Sequence, residues 1–401
     1  MVRIVQKYGG TSVANIERIR SIATRVKERA SLGDEIIVIV SARAGVTNDL
    51  LKQAKEISSK PDPACLDALL CIGECETAAL LAIILNDMGV AAVSRNAYQI
   101  GIATCSTFGN ARIKNIFGGD VEDCLKSGKV VVVTGFQGVD GNMCPTTLGR
   151  GGSDLTALAL AYRFNADLCE VYTDVDGVFS GDPRVIDRPA LIERISHDDL
   201  LELAFLDNKV IQDRSLAFAK KAGVNFSIAS SFGENADDGT HVMGDCDCPC
   251  SESYAIGLTY KTDLVLISAI LEENIFDDFL KIFANSGISV SFIKHTKLSG
   301  SGKFLEEIAI LSSDFPFLKN SCFAEPLPKK VSVTEGLTRI DVVGTKLEYS
   351  PWLGKVLSLM EGQEIFRSEY GKNGLSFLVK TDDYGSILNA LHRIVFEEKF
   401  S

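Results

Sequence analysis

The sequence predicts an α/β unit with a mainly parallel sheet between helices, followed by two smaller α+β, ferredoxin-like modules. Three observations carry that expectation. Two runs, Glu35–Val40 (EIIVIV) and Lys129–Phe136 (KVVVVTGF), are almost continuously apolar, as in strands covered on both faces. A glycine-rich turn leads into an amphipathic or apolar helix near the N-terminus, and again after Thr147. Beyond residue 255 a strand–helix–strand–strand rhythm occurs twice.

Val2–Gln6 reads as a short strand that ends in Lys7-Tyr8-Gly9-Gly10-Thr11-Ser12. The spacing of Ile16, Ile19, Ile22, Ala23 and Val26 predicts a helix over Asn15–Glu28. Backbone amides and hydroxyls at such a turn cradle phosphate oxygens, and Lys7 sets a point charge beside them. It is not a P-loop, whose lysine follows the glycines. An ordinary strand-to-helix connection with a solvent-facing lysine is the plain alternative. The Glu35–Val40 strand ends in Ser41–Asn48, a loop rich in small residues and hydroxyls. Lys129–Phe136 leads into Gln137-Gly138.

Thr147–Arg184 is the stretch around which the chain is organised. Gly149-Arg150-Gly151-Gly152-Ser153-Asp154 is a turn whose glycines can take positive φ and come close to a ligand. An apolar helix starting at Ser153/Asp154 points backbone N–H groups into it, and Arg150 adds a fork for a carboxylate or phosphate. The alternative is a helix capped by Ser153 or Asp154, with glycines as loop punctuation. Leu168–Tyr172 then reads as a buried strand whose end meets Thr173, Asp174 and Asp176, with Asp182 and Arg184 further on. Strand ends in open α/β sheets are where ligands sit. Asp198–Phe205 and Ser215–Ala222 read as helices, Val224–Ser230 as a strand, and residues 233–253 as a linker or extended loop.

The 401 residues are 46% hydrophobic, enough for two or three domains with sizeable cores. The formal charge of −12 argues against nucleic acid or an anionic membrane as partner. The apolar span Leu66–Val93 is interrupted by Glu74, Glu76, Asn86 and Asp87, so it is not expected to span a membrane. No signal peptide is recognisable, and the cytoplasm is the expected compartment. Most of the eleven cysteines sit inside apolar elements, where a free thiol behaves as a small hydrophobe. Cys246, Cys248 and Cys250 lack the spacing of a zinc knuckle, and no metal site is assigned to the chain's own side chains.

The motifs KYGGTSV, VSARAGVTN, Gly73-Glu74, GRGGSD and YTDVDGVFSGDPR occur in that order, and together they resemble the aspartate kinases of the amino acid kinase family. The resemblance covers about the first 240 residues. It implies the amino acid kinase fold over residues 1–240 and ATP-dependent phosphorylation of the L-aspartate side chain to 4-phospho-L-aspartate. That is the first step of lysine, threonine and methionine biosynthesis. ATP and Mg²⁺ are the implied cofactors. Lys7 would neutralise the transferred phosphoryl, with Gly9, Gly10, Thr11 and Ser12 around it. Ser41, Thr173, Asp174, Phe179, Asp182, Arg184 and Lys209 fall on nucleotide-binding positions. Thr47 and Glu74 fall on aspartate-binding positions, with Glu74 meeting the α-ammonium. Arg150, with Gly151, Gly152 and Ser153, would hold the substrate carboxylate, and Asp154 would position the amino acid. Lys7, Asp154 and Lys209 form the implied catalytic set. Phe179 stands where a tyrosine is common, and Gln212-Asp213 replace a usual histidine-proline. Phosphoryl transfer asks for positioning and charge neutralisation, and a carboxylate nucleophile needs no general base.

In the second half, strands are expected over Leu264–Ser268, Ile288–Ile293, Glu307–Leu311, Thr338–Val343, Glu364–Ser368 and Leu375–Val379. Helices are expected over Phe276–Phe283, Trp352–Met360 and Gly385–Val395. The pattern resembles a pair of ACT regulatory modules, over residues 255–325 and 330–401. The resemblance implies a homodimer through these modules and an amino-acid effector, lysine or threonine, near Ser289, Val290 and Ser291. Ser291 lacks the carboxylate often found there. A different amino acid kinase, or a catalytically weak amino-acid sensor, are the competing readings.

Overall fold

The computed structural model describes residues 1–206, 211–233, 239–244, 254–272, 281, 283, 288–299, 302–316, 331–344, 347–361, 363–371, 374–380, 382 and 384–398. The chain divides into two compact units. One comprises Met1–Phe179 and Ala190–Glu252, the other Ser180–Pro189 and Ser253–Ser401.

The first unit is built on an eight-stranded sheet. Its order is Arg194–Ser196, Thr240–Met243, Phe226–Ser230, Leu168–Thr173, Arg3–Tyr8, Glu35–Val40, Val130–Thr134 and Ala92–Arg95. All neighbours run parallel except Phe226–Ser230 with Thr240–Met243. Ile36–Val40 and Val130–Val133 are fully buried, which accounts for their unbroken apolar runs. On one face Ile36, Val38, Val40, Val130 and Val132 pack against Ile19, Ile22 and Val26 of the Ile16–Ser31 helix. Leu81 and Leu85 of the Ile72–Asp87 helix join the same core. Each such aliphatic side chain contributes about 1.5–3 kcal/mol on burial. The Gly152–Arg163 helix is buried from Gly152 to Ala161.

Side chains alternate across a strand, so Lys7 faces away from the core that takes Tyr8. A smaller sheet in the order Ile113–Ile116, Ile102–Thr104, Gln137–Val139 and Pro145–Thr147 leads into the glycine turn. The Pro63–Asp87 run is long and apolar enough to cross a membrane by composition, but half of its most apolar window is buried in the protein. Two of its carboxylates, Asp67 and Glu74, are buried as well.

The second unit holds a six-stranded antiparallel sheet. Its order is Val290–Lys297, Lys303–Leu311, Gly257–Glu272, Val331–Val343, Gly374–Lys380 and Ile365–Gly371. The helices Leu353–Glu361 and Tyr384–His392 pack on its second half through Val356, Met360, Leu388 and Leu391. The strands outrun their expected bounds, most of all Gly257–Glu272, because this strand pairs along both sides. Of the helix expected over Phe276–Phe283, only Lys281 and Phe283 are among the described residues. The cysteine-bearing loop around Cys246–Cys250 lies outside them.

Segment Ser180–Pro189 leaves the first unit and returns to it. Phe179 and Leu191 form an antiparallel bridge at its base. Its Ile186 and Val185 belong to the apolar core of the second unit, with Ile340, Trp352 and Ile387. Ser180 Oγ lies 2.8 Å from His392 Nε2, and the Asp187 amide donates to Asn389 Oδ1.

Candidate active site

Three central strands end level with one another, Tyr8 beside Val40 and Val40 beside Thr134. The chain leaves them through Gly9-Gly10, Ser41-Ala42 and Gly135-Phe136, so three loops of small residues meet at the carboxyl edge of the sheet. That is where ligands bind in such sheets. The small residues are needed for the approach. A Cβ on Gly10 would lie 3.0 Å from Ala42 O, and one on Gly135 2.7 Å from Ser153 Oγ. The loops enclose a cavity of about 300 Å³ lined by Lys7, Gly10, Ser41–Gly45, Thr47, Glu74, Phe136 and Gly149–Asp154.

Charge is distributed sharply within it. Lys7 Nζ lies 2.7 Å from Asp154 Oδ1, and both side chains are about nine-tenths buried. Glu74, 3% exposed, accepts the Ala42 amide on Oε1 at 3.0 Å. Its Oε2 is buried and has no hydrogen-bond partner among the described residues. Loss of water around the carboxylate pushes its pKa up to about 7, against the pull of the Ala42 amide. Arg150 is exposed at the rim and makes no ion pair with the described residues. The cavity thus offers a carboxylate oxygen lacking a donor and a guanidinium lacking an acid.

The glycine turn differs in detail from the sequence expectation. The helix begins at Gly152, and Gly151, with φ 69°, occupies the N-cap position. No side chain caps it, so Ser153 and Asp154 face the cavity instead of tying off the helix. The first turn lies where expected. Thr11 and Ser12 are in it, and the helix starts at Ile16, capped by Asn15, whose Oδ1 accepts the Arg18 amide. Its N-terminus is therefore closed by a side chain, while Ser12 Oγ is buried and has no hydrogen-bond partner among the described residues.

The residues expected on the substrate side converge on this one cavity, together with Lys7, Gly10 and Ser41. Gly9 adjoins it, its amide donating to Tyr172 O, and Thr173-Asp174 follow directly from Tyr172. Thr173 Oγ1 closes a local turn by accepting the Val175 amide, and Asp174 is exposed. Phe179 is the last residue of the first unit before the excursion. Asp182 and Arg184 belong to the second unit, where Tyr260 donates to Asp182 Oδ2 at 3.1 Å. Arg184 folds back on Asp182 through two bonds, and this pairing holds the Asp182 carboxyl below the usual range. Lys209 lies outside the described residues. Ser289 and Val290 are exposed at the edge of the six-stranded sheet, and Ser291 is half-buried, with its carbonyl accepting from Arg339.

Ala42, Arg43, Ala44, Gly45 and Phe136 also line the cavity, although sequence reasoning assigned them no site role. Arg43 is already paired with Glu76. Phe136 adopts φ 68°, uncommon for a side chain of this size, at the point where the chain turns from the strand toward Gly152. The Thr-Gly-Phe sequence closing an apolar strand is the only signal for it.

The sequence profile of the amino acid kinase family matches residues 2–230. An aspartate kinase of Pseudomonas putida is 44% identical over 66% of this chain and 64% of its own length. An aspartokinase of a Bacillus sp. is 35% identical over 97% of this chain and 96% of its own. The chain thus spans somewhat less than two thirds of the Pseudomonas relative but nearly all of the Bacillus one. In fold, the chain resembles E. coli aspartokinase III, at 24% identity and 98% coverage of this chain and 99% of that one. The TM-score is 0.75 for its complex with aspartate and ADP, and 0.76 for its complex with lysine and aspartate.

Proposed function

Because the chain belongs to the amino acid kinase family, we propose that it is an ATP-dependent aspartate kinase, phosphorylating the side-chain carboxylate of L-aspartate. The observation that carries this reading is the presence, in one cavity, of Glu74 Oε2 and Arg150, neither of which has a partner among the described residues. An α-amino acid brings an ammonium for the first and a carboxylate for the second. A buried carboxylate oxygen lacking a donor is costly, and an ammonium removes that cost.

The side-chain carboxylate of aspartate is ionised near neutral pH and can attack without a general base. What the chain must supply is position and positive charge where two anions meet. Lys7 Nζ fits that role, and Asp154 holds it in place at 2.7 Å. Thr47 and Ser153 supply hydroxyls to the substrate. The backbone of Gly9 and Gly10, with the orphaned Ser12 Oγ, fits nucleotide phosphate oxygens. Among the described residues no cluster of acids, histidines or cysteines forms a metal site of its own. Mg²⁺ bound with the nucleotide would instead ride on phosphate oxygens and offset their charge, as it commonly does with few protein ligands. Thr11, Ser41, Thr173, Asp174, Phe179, Asp182, Arg184 and Lys209 complete the proposed nucleotide set.

The proposal extends to the second half of the chain. Two ACT modules would bind lysine or threonine near Ser289–Ser291 and pair two copies of the chain, in the cytoplasm. The strand–helix–strand–strand order of Val331–Val343, Leu353–Glu361, Ile365–Gly371 and Gly374–Lys380 supports this reading.

A hydroxamate assay over aspartate, glutamate and other carboxylic acids tests the activity. Aspartate is expected to give ATP-dependent hydroxamate far above the rest. Turnover of a different acid would assign another member of the family, and amino-acid binding with no turnover would favour a sensor.

A further inference from the structure

Arg150 stands between two glycines that both take left-handed backbone, Gly149 at φ 79° and Gly151 at φ 69°. Glycine at both flanks leaves the arginine on a double hinge with no Cβ on either side to hold it. Yet a guanidinium that grips a carboxylate through two bonds must be held in a narrow range of position and angle. The restraint has to come from the residues around the turn.

It comes from two sides. From the Pro63–Leu70 helix, the buried Asp67 takes the Thr147 amide at 2.7 Å, the Thr147 hydroxyl at 2.9 Å and the Gly109 amide at 2.9 Å. From the start of the Asp213–Ala222 helix, Arg214 donates to Leu148 O at 2.8 Å, to Asn110 Oδ1 at 2.7 Å and to Ala111 O. All three acceptors are neutral oxygens, two of them backbone, in the strands' exit loops on either side of Gly149. Neighbouring residues complete the seat. Ser215 Oγ donates to Gly151 O, and a Cβ on Gly151 would lie 2.3 Å from Gln212 Cγ. Leu148 is buried with Ala111 and Leu155.

We infer that Arg214 is a positioning residue for Arg150, and that together with Asp67 it fixes the carboxylate-gripping turn. This rests on the reading of Arg150 as the partner of the substrate carboxylate. Arg214 itself is half-buried and spends its donors on the loop, so it acts through Arg150 and does not touch substrate. Charge-assisted bonds to backbone oxygens are strong enough to hold such a turn against its glycine hinges.

The test is a two-residue cycle on the full-length protein, with KM for aspartate, KM for ATP and kcat measured for each variant. Arg214→Gln is expected to raise the KM for aspartate about tenfold, since a misplacement of about 1 Å is costly at a reacting site, and to leave the KM for ATP within about twofold. In an Arg150→Ala background the same substitution is expected to add almost nothing. An unchanged KM for aspartate in Arg214→Gln, or a rise that adds in full to that of Arg150→Ala, would overturn the clamp while leaving the Arg150 assignment intact. An unchanged KM for aspartate in Arg150→Ala would overturn that assignment and the clamp with it. Should Arg214→Gln fail to fold, Asn110→Ala decides, because Asn110 is exposed and removes one of the acceptors that orient the guanidinium. A selective rise in the KM for aspartate supports the clamp, and no change overturns it.

Discussion

Lys7 Nζ and Asp154 Oδ1 are 2.7 Å apart, and this ion pair joins the end of the first strand to the start of the Gly152–Arg163 helix inside the cavity. A pair so nearly buried is not a surface ornament. Removing one partner leaves the other charged in a poorly hydrated place. In the proposed reaction the same lysine supplies positive charge where two anions meet.

Lys7→Ala is accordingly expected to lower kcat by about two orders of magnitude or more, the scale of losing one transition-state donor. Circular dichroism should show the fold retained. A purified, folded Lys7→Ala protein with near-normal kcat would remove Lys7 from the chemistry.

With Glu74 in its proposed role, the activity is expected to depend on pH in a definite direction. Burial raises its pKa to about 7, so the empty site holds a partly protonated carboxyl near neutrality. An incoming ammonium favours the ionised form. kcat/KM for aspartate should therefore climb with pH up to about 7 and level off above it, since this ratio reports the free enzyme. Glu74→Gln should flatten that limb. The effect on folding has the opposite sign. A carboxyl whose folded pKa is raised favours the folded state most below its unfolded value, and that contribution is lost as pH rises through about 7. A pH profile for Glu74→Gln that keeps the wild-type limb would assign it to another group.

Arg150→Lys tests geometry against charge. An ammonium keeps the positive charge but cannot present two parallel donors. The KM for aspartate should rise at least about tenfold, with the KM for ATP almost unmoved. Matching losses for both ligands, measured by initial-rate kinetics, would move Arg150 to the nucleotide side.

The sheet and the cavity were legible in the sequence for one physical reason. Strands buried on both faces must be apolar throughout, and loops that converge must be small, so Glu35–Val40, Gly9-Gly10 and Gly149–Gly152 announce themselves. What the sequence hides is which polar groups are satisfied. Nothing in the residue order reveals that Asn15 closes the first helix while Ser12 is left over, or that Arg184 turns back on Asp182. Phe136 is hidden for another reason, since its left-handed backbone is imposed by the turn it sits in and not by its own preference. The long Gly257–Glu272 strand exceeds its apolar pattern because pairing on both edges holds residues that periodicity alone would leave out.

Control by an effector is testable at Ser291. Its Oγ is buried without a hydrogen-bond partner among the described residues, and its carbonyl accepts from Arg339. A buried ammonium facing a hydroxyl is less well matched than one facing a carboxylate. Inhibition by lysine or threonine is therefore expected to be weak in this chain, and Ser291→Asp should shift the dose–response curve to lower concentration. An unchanged curve would place the effector elsewhere.

The Ser180–Pro189 excursion has a consequence for how this chain can be cut or recombined. A fragment ending at Glu252 would carry Val185 and Ile186 with none of the apolar residues that bury them, and a fragment beginning at Ser253 would lack two members of its own core. His392 would likewise lose the Ser180 hydroxyl. The two units are thus stitched by a loop as well as joined in series. Grafting a foreign second unit onto this first unit requires exchanging residues 180–189 together with it.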